Sequence, residues 1–215
     1  MCWNAEVSLN TFAFSSFVLL GIMYNNAYTQ YKIKEFNNIW LYFFMSSFIL
    51  IQLIEFFIWR NLNNKFYNNL FSIIATLLLI IQPVISLMIL TNKKLRNVLL
   101  VAYLLFAIPY SMYNFYINNN IHSTISNSGH LRWNFFKVTP IIAILWIFFF
   151  LFSFVYEKRW YGAGFGFITL FISYFNYRND HTMGSMWCWV VNSVMLFYAF
   201  YLLIWLPVLE KSSFC

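Results

Sequence analysis

Apolar residues in this chain do not follow a stripe of period 3.6 or a strict alternation. They run unbroken for about 20 residues at a time, with short polar clusters between. A run of that length wound as a helix at about 1.5 Å per residue matches the roughly 30 Å hydrocarbon core of a bilayer. Seven such runs are predicted as spanning helices: Val7 to Tyr24, Asn38 to Trp59, Asn69 to Leu90, Asn97 to Tyr116, Thr139 to Tyr156, Gly162 to Tyr177 and Ser185 to Trp205. The first run is interrupted by Asn10, Ser15 and Ser16 and the sixth by three glycines, so either fits a tilted or partial span. Barrel strands would alternate apolar and polar over about ten residues, whereas Phe71 to Leu90 is apolar almost all round. The predicted fold is therefore an all-α polytopic helix bundle, one domain over residues 1–215.

Most connections are short, which makes successive helices antiparallel neighbours. One loop is long. It runs from Ile117 to Val138, is rich in Asn and Ser, and carries His122, His130, Arg132 and Trp133. The Asn-rich stretches at Asn61 to Asn64 and Asn118 to Asn120 read as compositional bias, with no repeat and no domain boundary.

Composition sharpens the membrane reading: 62% of residues are hydrophobic and 9% charged, too little charge to cover a soluble surface. The net charge of +7 is scattered between apolar runs, with no basic face or arm, so nucleic acid is not an expected partner and the lipid bilayer is. Alternating the seven runs puts five Lys and Arg on the side of the N-terminus and eight on the other. The positive-inside rule then predicts an outside N-terminus and a cytoplasmic C-terminus. The N-terminal run lacks the features of a signal peptide and is expected to stay as a span. Cys2, Cys188 and Cys215 are far apart and suggest neither a disulfide framework nor a zinc site.

Aromatic residues reach 24%, and Trp40, Trp59, Trp133, Trp160, Trp187 and Trp205 fall near predicted span ends, as interfacial anchors do. Gly162 and Gly166 have the small-xxx-small spacing that permits close helix approach.

Candidate chemistry centres on Glu55, the one acid inside a predicted span, about 7 Å below the outer interface by helical rise. Gln52 at i−3 and Trp59 at i+4 share its face. A bland role, snorkelling outward or pairing with Arg60, competes with a functional one. Gln82 precedes Pro83, whose missing N–H frees a carbonyl for an adjacent helix, water or a transported substrate to satisfy. Asn114 in the fourth span, and Ser185, Cys188 and Asn192 on one face of the last, complete the polar set. The candidate ligand-binding residues are thus Gln52, Glu55, Trp59, Gln82, Asn114, Cys188 and Asn192; Glu55 is predicted to share an outward-facing cavity with Gln52 and at least one of Gln82, Asn114 and Asn192, with Gln82 the deepest, near the middle of the membrane. No catalytic set, metal ligands or cofactor is indicated: HExxH and GxSxG are absent, and the last span has neither the histidines of a seven-span hydrolase nor a retinal lysine.

At Met1-Cys2-Trp3-Asn4-Ala5, at Gln52-Leu53-Ile54-Glu55 with Trp59, and at Gly184-Ser185-Met186-Trp187-Cys188-Trp189, the chain resembles a family of uncharacterised multi-span proteins of large DNA viruses and some protists. The resemblance implies a host or viral membrane and no particular activity. Three readings stay open: a polar site for transport or sensing of a small ligand or ion, a structural or interaction protein of a viral or host-derived membrane, and, third, an intramembrane enzyme. Oligomeric state is not legible.

Overall fold

The computed structural model describes residues 4–29, 32–117, 121–135 and 139–208. Cys2, Lys137, Lys211, Cys215 and Asn118 to Asn120 lie outside the described residues. The fold is all-helical apart from one small hairpin. Its helices are α1 (Ala5–Tyr28), α2 (Ile39–Arg60), α3 (Lys65–Leu87), α4 (Lys93–Ile117), α5 (Pro140–Tyr156), α6 (Trp160–Tyr177), α7 (Met183–Val191) and α8 (Val194–Phe200), the last continuing as a π-turn over Tyr201–Trp205. Five helices are long and apolar enough to cross a membrane: α1, α2, α3, α4 and the run Met183–Val208. At 17 residues α5 is apolar but shorter, and α6 is diluted by Trp160, Tyr161 and its glycines.

Asparagine sets where these helices begin. Asn4, Asn38, Asn64 and Asn92 each accept a backbone N–H of the first turn, from Val7, Trp40, Tyr67 and Leu95, at 2.8 to 3.2 Å. An Asn side chain satisfies a donor that the first helical turn cannot. Part of the Asn content read as bias is therefore capping, and the Asn64 cap starts α3 four residues earlier than the apolar run suggested. Two helices end with a non-glycine residue in the left-handed region. After α5, Lys158 (φ 55°) donates to Val155 O and Arg159 to Phe154 O; after α6, His181 (φ 56°) donates to Arg178 O and Thr182 to Tyr177 O. These paired bonds close the last carbonyls as a Schellman motif does, without the glycine that would have announced it.

The predicted long loop holds an antiparallel hairpin, β1 (Ser123–Ile125) and β2 (Leu131–Trp133). Ser126 N–H donates to His130 O at 2.8 Å, leaving the three-residue loop Asn127-Ser128-Gly129, and Gly129 takes φ +80°. That is a three-residue hairpin turn with glycine in the position that needs positive φ.

Helix α2 is central, packed on α1, α3 and α7, while α3 also meets α4 and α5, α6 bridges α5 and α7, and α8 returns to α1. On α6, a Cβ at Gly162 would lie 2.9 Å from a Phe154 ring carbon, and one at Gly166 2.9 Å from a Leu151 methyl, so these glycines let α6 close on α5. Helix α4 lies outermost, with only Tyr103 and Ala107 buried. Loop contacts sort into two ends. At one, the hairpin meets the start of α3 and the end of α6; at the other, Thr91 N–H donates to Glu157 Oε1 at 2.7 Å, Asn38 Nδ2 to Ile89 O at 3.1 Å and an Arg159 guanidinium N–H to Glu35 O at 2.9 Å.

Candidate polar site

Glu55 is completely buried within α2, and so is Gln52, whose Nε2 donates to Glu55 Oε2 at 3.0 Å. The i, i+3 spacing puts both on the face turned to the bundle, so the carboxyl is enclosed by neighbouring helices rather than set on the outer surface of the bundle. Trp59, one turn further along, is half-buried.

Across from this face the last apolar run is broken. Between α7 and α8 the backbone tightens, and Asn192 N–H bonds Trp189 O at 3.0 Å, which takes the usual i+4 donor away from Cys188 O. The Asn192 side chain replaces it: Nδ2 donates to Cys188 O at 2.8 Å and also to Phe48 O, on α2, at 3.2 Å. One amide thus closes the break and ties it to α2 one turn before Gln52. The Cys188 thiol is buried and close enough to Glu55 to feel its charge. The structure therefore brings Gln52, Glu55, Cys188 and Asn192 together, with Trp59 on the same face of α2.

Several polar atoms here are buried without a hydrogen-bond partner among the described residues: Gln52 Oε1, Trp59 Nε1 and Asn192 Oδ1. Leaving such atoms unmatched costs about 1–3 kcal/mol each, more than packing alone would select for. Ser8 and Ser15 of α1, missed in the sequence reading, are also buried with unmatched hydroxyls. With Thr11, which receives Trp189 Nε1–H at 3.1 Å, they form an inward polar stripe at i, i+3 and i+7. That spacing was the available signal, hidden because Ser15 reads with Asn10 and Ser16 as an interruption of the span rather than with Ser8 and Thr11 as one face.

Gln82 and Asn114 lie elsewhere. Gln82 is fully buried with both amide atoms unmatched, but by helical rise along antiparallel α2 and α3 it lies about 18 Å deeper than Glu55. Asn114 lines a separate cavity of about 80 Å³ with Thr76, Tyr110 and Trp146. The carbonyl freed by Pro83 is that of Leu79, and an adjacent helix satisfies it: Trp146 Nε1 donates to Leu79 O at 3.1 Å, while Tyr103 Oη donates to Ile80 O at 2.7 Å.

The hairpin roofs the Glu55 end. Asn68 Oδ1 accepts Ser123 N–H at 2.9 Å and its Nδ2 donates to Ser123 O at 3.0 Å, the pattern of a strand neighbour, and Ser72 Oγ meets Ser123 Oγ at 3.0 Å. Leu131 and Trp133 bury beneath it, and His130 meets Tyr177 edge-on at 5.4 Å. Burial holds His130 below the ordinary histidine range, with Asp180 acting against it.

No family model, curated protein or solved structure matches the chain. Function is therefore argued from the site alone. Among the described residues no group of His, Cys, Asp and Glu is placed to hold a metal ion. What the arrangement offers is an enclosed carboxylate, amide oxygens and a break in a helix, a set suited to a proton or a small cation.

Proposed function

We propose that the chain is a seven-span membrane protein with its N-terminus outside, whose site at Glu55 takes up a small cationic ligand or ion, the proton included, in transport or sensing. The observation that carries this reading is the fully enclosed Glu55 beside the break at Asn192. An acid inside a span is costly, and non-helical backbone at membrane depth is tolerated where it is buried or lines a cavity. Broken helices are a recurring element of transporter sites; here Asn192 Nδ2 caps the freed carbonyl of Cys188, and its own Oδ1 is left as an acceptor. The unmatched oxygens of Gln52 and Asn192 add acceptors for the same charge. Support for seven spans comes from the loops, which alternate between the two ends through all the helices, and the Lys and Arg asymmetry supports the orientation.

The rival reading, a scaffold of a viral or host-derived membrane, draws on the Asn192 and Asn68 bonds, which tie helices and hairpin together. Glu55→Gln separates the two. In liposomes with an entrapped pH-sensitive dye and graded sodium or potassium, the variant is expected to lose cation-coupled signal while its melting temperature changes little, since Gln keeps the size of Glu55 and an acceptor for Gln52 Nε2. A change in melting temperature alone, with the signal intact, would leave the scaffold reading standing.

Orientation has its own check. In a Cys2→Ser, Cys215→Ser background, a cysteine introduced at Ser128 in the hairpin turn is expected to react with an impermeant reagent on intact cells. Reaction only after permeabilisation would reverse the assignment.

A further inference from the structure

At the end away from the hairpin the bundle encloses a chamber of about 650 Å³ between α2, α5, α6 and α8. Its volume falls within the about 300–1,000 Å³ of small-molecule sites. Phe44 and Phe48 of α2, Phe150 and Phe154 of α5 and Trp187 of α7 make its walls, and the polar Gln52 and Glu55 are not among its lining residues. Tyr161 and Phe197 line it too while 94% and 60% exposed, so it opens sideways between α6 and α8. At its mouth stand Arg159 and Glu35. Arg159 spends one N–H on the Glu35 main-chain carbonyl at 2.9 Å and is half-buried, leaving further guanidinium donors to face an incoming group. Of the charged residues only Arg159 and Glu35 line the chamber, and Lys34 and Lys158 are their neighbours along the chain, so bases outnumber acids there.

We infer that this chamber takes an acyl chain of an anionic phospholipid, with the phosphate held at Arg159. The apolar volume fits a hydrocarbon tail, the sideways opening faces the medium in which lipids reside, and the basic mouth complements a phosphate, which Arg recognises through its planar fork. The glycines of α6 shape the wall: bulk at Gly162 or Gly166 would press on Phe154 or Leu151, so the chamber exists because α6 can sit this close to α5 without filling the gap. This inference rests on the membrane-spanning reading and is independent of Glu55.

The test uses the full chain in nanodiscs containing phosphatidylglycerol or phosphatidylcholine bearing a photoreactive group in the acyl chain, with labelled peptides mapped by mass spectrometry. Peptides of α8 and the start of α6 are expected to label more strongly than the outer face of α4, where Leu105 and Met112 are exposed, and to do so with phosphatidylglycerol in preference to phosphatidylcholine. Arg159→Gln should weaken that preference by roughly tenfold, the scale of one charged hydrogen bond. Val194→Trp, which fills the chamber, should remove the excess labelling. Labelling of the chamber no stronger than that of α4, equal labelling by the two lipids, or an unchanged preference in Arg159→Gln would overturn the assignment in the wild-type or variant protein. Absence of label on α4 itself would instead count against the membrane-spanning reading.

Discussion

Replacing Trp146 is expected to be among the most damaging single changes in the bundle, about 3–5 kcal/mol for Trp146→Ala. Its ring stacks on Phe150 at 4.8 Å and meets Trp187 edge-on at 5.9 Å, so truncation opens a hole between α5, α3 and α7. The indole N–H matters separately. Pro83 cannot donate to Leu79 O, and Leu79 is buried, so without the Trp146 bond that carbonyl has lost both its helical donor and its substitute. Trp146→Phe keeps most of the ring and removes the donor, and should cost about 1–3 kcal/mol. The sharper result lies in the double mutant. Pro83→Ala restores an N–H that can reach Leu79 O, so Trp146→Phe should cost less in that background, by about 1 kcal/mol. Unfolding in detergent of the wild type, both single variants and the double variant measures this coupling. Additive losses would mean that the indole bond is not what compensates the proline.

Asn68→Leu is expected to release the hairpin. The side chain is buried and makes two bonds to the Ser123 backbone, one to Leu62 O at 3.3 Å and one from Ser72 Oγ at 3.3 Å. Leucine has a similar size and can make none of them, leaving Ser123 N–H and C=O unmatched in a closed environment. At about 1 kcal/mol for each of the four bonds lost, the local cost is on the order of 4 kcal/mol, which corresponds to roughly a thousandfold faster opening-limited exchange. Amide hydrogen exchange over Ser123 to Trp133 reads this directly. Protection should fall there and hold in the middle of α2, where Ile51 and Gln52 are buried. Uniform loss of protection would assign Asn68 to the stability of the whole bundle rather than to the roof.

Much of the helical architecture was legible because long unbroken apolar runs, such as those around Phe44 and Leu78, are of the length a membrane-crossing helix needs. Facing was less legible. In a chain apolar all round, burial does not show as a stripe, so Glu55 and Gln52 could be placed on one face while their neighbours on α7 could not. Gln82 and Asn114 were grouped with them by residue type and approximate depth. The structure separates them because α3 carries Gln82 towards the opposite end and α4 sits outside the bundle. The hairpin escaped because its strands are three residues each, yet Asn127-Ser128-Gly129 between Ser123-Thr124-Ile125 and Leu131-Arg132-Trp133 has the spacing of a short turn. The break at Asn192 left no mark in hydropathy, since the residues on both sides are apolar.

The bond from Trp189 to Thr11 joins residues 178 positions apart, and α8 packs on α1. Helix α1 therefore gains its full set of neighbours only once α7 and α8 have been made. Until then α1 can rest on α2 alone, and Thr11 lacks the indole donor that Trp189 brings. A nascent chain halted after α6 would have α1 without its α8 neighbour and Thr11 without its indole partner, so an unfinished copy differs chemically from a completed one along that one edge.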